Sequence, residues 1–291
     1  MKRLILGLLA ALVVGAMVIA FNPLASFNAL MPKDRASVRV AEGLAYGPGP
    51  RRKLDVYAPR SAAAGKRPVI VFFYGGSWNS GRRQSYAFAA RALAAQGFVV
   101  IVPDYRLVPE ARYPDFLFDC AAAVRWARRH SGQHGGDGER IVLAGHSAGA
   151  YNAAMLALDP GLLGPDRVAI RGFIGLAGPF DFLPLDDDST IAAFGAWPRP
   201  AETQPIRYAA ANAPPALLLH GADDVRVKPR NSRKLAGLLK AAGSKVRLKL
   251  YPSLGHIGIL TALARPLRRQ APVLADIAAF AHEVAAPAPD G

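Results

Sequence analysis

The chain has 291 residues, 52% of them hydrophobic, and carries 36 Lys and Arg against 21 Asp and Glu, a formal net charge of +15. Its one cysteine, Cys120, excludes an intramolecular disulfide and a cysteine-based metal site. The basic residues are dispersed rather than run together with aromatics, which argues against a nucleic-acid partner. They read instead as a solvated, Arg-rich surface suited to an anionic membrane face or to acidic substrates.

In chain order, Lys2 and Arg3 precede an uncharged apolar run from Leu4 to Ala20, the pattern of an export segment. The run is long for a signal core and short for a comfortable membrane span. Residues 1–22 are therefore expected to be either a signal peptide, cleaved after Ala20, or a retained N-terminal anchor. No cysteine follows the run, so a lipid anchor is not expected. The globular part is expected outside the cytoplasm, secreted or periplasmic, or touching the membrane through that segment. Residues 23–45 read as a linker, 46–284 as one domain, and 285–291 as a disordered tail.

Within the domain, apolar strand patterns at 53–57, 69–73, 99–103, 140–144, 172–177, 216–220 and 245–251 alternate with helical stretches. The helices fall at 85–96, 115–130, 148–158, 230–242 and 270–284. The alternation predicts an α/β fold with a mostly parallel central sheet covered by helices on both faces, of a size that one core can close. Cys120 shares a helical face with Phe116, Ala123, Val124 and Ala127 and reads as a small buried hydrophobe. The irregular stretch 179–213, with Asp186-Asp187-Asp188 and several prolines, reads as a short cap over a site.

The chemistry gathers at the ends of the predicted strands. Gly145-His146-Ser147-Ala148-Gly149 is a G-x-S-x-G pentapeptide between a strand and a helix, the context in which a sharp turn exposes a nucleophilic serine. A serine hydroxyl needs a base, and the base needs an orienting acid, here expected in the order Ser, acid, His. After the strand at 216–220 the turn carries Asp223 and Asp224, and Asp181 is a further candidate acid. His256 follows the last strand in a Gly-flanked loop and is the one histidine in the required order. His220 is expected to bond locally and shape the acid's turn, and His130, His134 and His282 read as solvated.

Donors for an oxyanion are expected from the N–H of Ala148 and from Gly75 and Gly76, in the loop after the strand at 69–73. Ser77, Trp78 and His146 are candidate substrate-binding residues. Asp119 reads as a helix-surface charge, and Arg106 with Glu110 as a structural ion pair.

Together the GHSAG elbow, the YGGSW loop, the DYRLVPE segment, HGADDVRV and GHIG resemble the α/β-hydrolase superfamily over residues 46–282. They are most similar to its branch of carboxylesterases and feruloyl-esterase-like enzymes, which includes hormone-sensitive-lipase-type esterases and kynurenine formamidases. The resemblance implies a small cap, an acid at Asp224 rather than Asp223, and no cofactor or metal. It departs from the family at Tyr74, where the oxyanion loop usually begins with histidine. The expected activity is hydrolysis of a small-molecule carboxylic ester through an acyl-enzyme on Ser147, His256 and Asp224. An amidase or formamidase on the same residues is the alternative, and an inactive hydrolase-fold binding protein the rival from another class. The acyl and alcohol groups and the oligomeric state are not written in these motifs.

Overall fold

Strands that lack alternation mark the middle of the sheet. Val69 to Phe73 and Ile141 to Ala144 are fully buried along their whole length, as parallel strands with both faces covered must be. The computed structural model describes residues 23–287. The expected leader at 1–22 and residues 288–291 of the expected tail lie outside them.

Eight strands form one sheet: β1 (Ser37–Ala45), β2 (Lys53–Pro59), β3 (Arg67–Phe73), β4 (Val99–Pro103), β5 (Gly136–His146), β6 (Ile170–Leu176), β7 (Ala216–Gly221) and β8 (Val246–Tyr251). Their order is β1-β2-β4-β3-β5-β6-β7-β8. β1–β2 and β2–β4 pair antiparallel, and every other pair is parallel. The edge strand β8 alternates half-buried and exposed residues, which fits a strand covered on one side.

The helices are α1 (Pro23–Leu30), α2 (Ala87–Ala94), α3 (Asp115–His130), α4 (Ala148–Leu158), α5 (Pro160–Leu163), α6 (Asp188–Phe194), α7 (Arg230–Ala241), α8 (Gly258–Thr261) and α9 (Val273–Val284). α2 and α9 pack on one face, and α3, α4 and α7 on the other. α4 is apolar apart from Asn152 and Tyr151 and is buried at every residue, so it lies against the sheet centre. α7 is amphipathic and turns Leu235, Ala236 and Leu239 inward. This is the α/β-hydrolase architecture that the motifs imply. Among the described residues no helix is long and apolar enough to cross a membrane.

Two stretches depart from their expected irregularity. Residues 23–45, expected as a linker, contain α1 and the edge strand β1, which pairs with β2. α1 docks through Asn28, whose Oδ1 accepts from Phe88 N at 2.9 Å while its Nδ2 donates to Gln84 O at 3.0 Å. The expected tail begins with Ala285, which is fully buried and accepts a hydrogen bond from Arg140 Nη1 at 3.1 Å.

The strand order reverses between β3 and β5, because β4 lies on one side of β3 and β5 on the other. Ligands of open α/β sheets bind at the carboxyl ends of strands at such a point. The loops after β3, β5, β7 and β8 all open there.

Candidate active site

At the tip of β5 the chain turns sharply into α4, with Ser147 at φ 55° and ψ −123°. Such a conformation is costly for a residue with a Cβ and persists only where its surroundings impose it. Here the imposing contact is close packing: a Cβ on Gly149 would lie 2.0 Å from Phe73 O. Only glycine lets α4 start this near to β3, and that start leaves the Ser147 hydroxyl proud of the sheet.

His256 reaches it from the loop after β8. Its Nε2 lies 2.9 Å from Ser147 Oγ, and its Nδ1 lies 2.8 Å from Asp224 Oδ2. An ionised carboxylate can only accept, so Nδ1 carries the proton and Nε2 presents a lone pair to the serine hydroxyl. The three residues are 8%, 9% and 3% exposed for Ser147, His256 and Asp224, so the line is nearly dry yet reachable.

The Asp224 carboxylate is held by its own turn. Oδ1 accepts from the N–H groups of Arg226 and Val227, both at 2.9 Å. His220 Nε2 lies 3.3 Å from Oδ2 and 2.7 Å from Val227 O, while His220 Nδ1 meets Ser232 Oγ at 2.7 Å. Burial pushes the Asp224 carboxyl up, but the hydrogen bonds from His220, His256 and Val227 outweigh it and hold it well below the ordinary carboxylate range. The two other acid candidates stand apart. Asp223 is exposed, and Asp181 pairs with Lys234 Nζ at 2.6 Å.

The loop after β3 holds three consecutive residues at positive φ: Gly76 at 136°, Ser77 at 49° and Trp78 at 57°. A Cβ at Gly76 would lie 2.3 Å from Ser80 O. The loop rests on a tyrosine stack. Tyr74 lies flat on Tyr105 with centroids 4.8 Å apart, Tyr105 Oη donates to Tyr74 O at 2.9 Å, and Arg51 donates to Tyr74 Oη at 2.7 Å. The residue in place of the usual histidine is thus a buried prop under the loop.

One expected donor is already engaged. Gly75 N–H donates to Tyr86 Oη at 3.1 Å, so it does not face an oxyanion. What position 75 needs is room, since a Cβ there would meet Ser147 Cβ at 2.9 Å. Gly76 N–H makes no hydrogen bond among the described residues. Ala148, as the first residue of α4, has an N–H without an intrahelical partner.

Trp78 is buried, donates from Nε1 to Asn152 Oδ1 at 3.2 Å, and stands edge-on to Tyr151 and Phe194 at 5.2 and 4.7 Å. Ser77 is half-buried and accepts from Arg226 Nη2 at 3.2 Å. His146 is buried, and its Nε2–H donates to His256 O at 2.9 Å. Among the described residues its Nδ1 has no hydrogen-bond partner, and burial, with His256 close beside it, lowers its pKa to about 3. His146 therefore stays neutral and braces the His256 loop.

Two cavities meet at Ser147. One, of about 450 Å³, is walled by Trp78, Phe182, Leu183 and Pro184. The other, of about 380 Å³, is walled by Gly76, Tyr86, His256 and, from α1, Pro23 and Leu24. Within 179–213, Asp187 caps α6 by accepting from Ser189 and Thr190 N–H at 3.0 and 3.1 Å. Asn231 Oδ1 accepts from Phe180 and Asp181 N–H, both at 2.8 Å.

The charges that support the site differ from expectation at two points. Asp119 is buried, 1% exposed, and binds Arg106 at 2.8 Å and Arg52 at 2.9 Å. Arg106 is thus paired with Asp119 rather than with Glu110. A buried cluster that no motif signals joins Arg83 to Asp55 at 2.7 Å and to Asp104, and anchors the turn beside the β3 loop.

The chain is similar to esterases across kingdoms. Esterase LipC of Mycobacterium tuberculosis is 32% identical over 237 residues, 72% of this chain and 58% of LipC. The isoprenylcysteine alpha-carbonyl methylesterase ICME of Arabidopsis thaliana is 28% identical over 80% of this chain and 59% of its own. The chain thus spans less than two thirds of the length of these curated relatives. The propionate-bound structure of a thermophilic esterase, Est2, from Thermogutta terrifontis superposes with a TM-score of 0.71 at 27% identity, covering 86% of this chain and 97% of that one. The model of the BD-FAE family matches residues 54–239, a stretch that holds the serine elbow, the β3 loop and the Asp224 turn, and the chain belongs to that family.

Proposed function

We propose that this protein hydrolyses carboxylic esters through an acyl-enzyme on Ser147. The observation that carries the reading is the unbroken line from Asp224 through His256 to Ser147, with both hydrogen bonds under 3 Å. As Ser147 Oγ attacks the ester carbonyl, His256 Nε2 takes its proton, and Asp224 stabilises the imidazolium and keeps its orientation. The N–H groups of Ala148 and Gly76 face the developing oxyanion, a contribution of roughly 3 kcal/mol per donor. His256 then protonates the leaving alcohol, and water repeats the sequence on the acyl-enzyme.

The charge held on Asp224 by four N–H groups supports the acid role, and the esterase names of the relatives support the substrate class. The segment 179–213 acts as a small cap that sizes one side of the substrate. The Lys2-Arg3 start and apolar run support action outside the cytoplasm, which fractionation of tagged protein tests.

The experiment is turnover of p-nitrophenyl acetate, butyrate and octanoate by the purified protein beside Ser147→Ala, with fluorophosphonate labelling read by mass spectrometry. The expected result is serine-dependent turnover and a label on Ser147. Ester turnover that survives Ser147→Ala, or a label elsewhere, overturns the reading.

A further inference from the structure

The leaving group must reach His256 Nε2 to be protonated, so the cavity that His256 lines receives the alcohol. That is the smaller cavity, with α1 and the Tyr86 turn on its walls. The larger cavity, behind Trp78 and the 179–213 segment, is left for the acyl group.

The two sides differ in charge. Among the described residues the acyl side is lined by Asp181, Asp186 and Asp187 as well as by Arg226, Lys228 and Arg230, so its charges offset each other, and Arg226 stands between the two cavities. The alcohol side is lined by Arg82 and Arg226 and by no carboxylate. Both residues are exposed, and neither has a carboxylate within ion-pair distance among the described residues. Among the described residues the one side-chain hydrogen bond of Arg226 goes to Ser77 Oγ, at 3.2 Å, so most of its donors are unspent. Both arginines are also held in place at the backbone. Arg226 N–H is fixed to Asp224. Arg82 directly precedes Arg83, whose N–H and side chain are bound to Asp104.

We propose that the alcohol half of the substrate carries a negative charge, a carboxylate or a phosphate, which Arg82 and Arg226 bind while His256 protonates the ester oxygen. The inference rests on the esterase reading above and extends it to the substrate class. The acyl group passes to Ser147 Oγ, the ester C–O bond breaks, the proton from Ser147 goes by way of His256 to the leaving oxygen, and the anion stays unchanged on the arginines. An ion pair at an exposed guanidinium is screened by solvent, so each arginine is expected to raise kcat/KM about 3- to 5-fold.

The test uses three acetate esters that share an acyl group: phenyl acetate, 4-acetoxybenzoate and 4-acetoxyphenyl phosphate. Each kcat/KM is divided by the ester's hydroxide-catalysed rate to remove leaving-group reactivity. The wild type is expected to prefer one or both anionic esters by about 10-fold or more, and the better of the two identifies the anion. The preference is expected to fall about 3- to 5-fold in Arg226→Gln and in Arg82→Gln, to vanish in the double variant, and to shrink as NaCl rises. Arg269→Gln, an exposed arginine that lines neither cavity, removes the same net charge and is expected to behave as wild type. A preference unchanged in the double variant, lost equally in Arg269→Gln, or absent from the wild type overturns this inference while serine-dependent turnover stands. No turnover of any ester, with no phosphonate label, overturns the catalytic reading itself.

Discussion

The two cavities beside Ser147 are made from different kinds of chain. The larger is walled by the 179–213 segment, whose Phe182 and Phe194 pack on Trp78 with centroids 6.1 and 4.7 Å apart. The smaller is walled by α1 and by the turn at Arg83–Tyr86, which is pinned by the buried Arg83–Asp55–Asp104 cluster. Aromatic packing is tolerant of volume-conserving exchange, so the first wall can change shape at modest cost. A buried ion cluster is not, because removing one member strands a desolvated charge. One side of the site is thus free to set size, and the other is fixed to set charge.

The largest expected effect ignores that difference. Ser147→Ala should lower kcat by roughly 10^4 to 10^6 for every ester, whichever cavity the variable group occupies, as steady-state assays with each substrate would show. Asp224→Asn comes next, with a fall of roughly 10^4, because the amide can donate to His256 and favour the wrong tautomer. Circular dichroism should still report a folded protein. Gly76→Ala places a Cβ against Ser80 O in a left-handed conformation, and the displaced donor should cost roughly 10^2 to 10^3 in kcat.

Trp78→Ala separates the two cavities. It should cost roughly 3–5 kcal/mol of stability in urea titration and move the acyl chain-length profile toward longer chains. The ratio between anionic and neutral alcohols should stay as it was. A change in that ratio would show that the two sides are not independent. The smallest effect is a slope. His146 is held neutral to a pKa of about 3 against an ordinary 6.5. As pH falls below 6.5 the unfolded chain therefore takes up a proton that the folded chain refuses, and stability declines with pH from this group. His146→Gln should make the unfolding free energy shallower over that window.

Much of the fold was legible because its signals are local. The buried runs Val69 to Phe73 and Ile141 to Ala144 read as central strands from their composition, and the glycines around Ser147 read as an elbow. The linker reading of 23–45 failed because β1 is an edge strand: its inward and outward residues follow no clean alternation, and its pairing with β2 is broken by register shifts. α1 is held by Asn28 to the turn and to α2, contacts that its own eight residues do not announce.

Residue types at fixed spacing were enough to mark Ser147, His256 and the turn with Asp223 and Asp224, since strand, turn and helix each leave a periodic or turn-residue trace over a few positions, and the choice of Asp224 came from the family resemblance. Tertiary structure alone brought Arg52 and Arg106 to Asp119, turned the Gly75 amide onto Tyr86, and left Arg82 and Arg226 together in a cavity without a carboxylate. These are meetings between segments up to about 150 residues apart, as Arg226 and Ser77 are. A charge's partner depends on where both chains fold, and nothing within either segment carries that information.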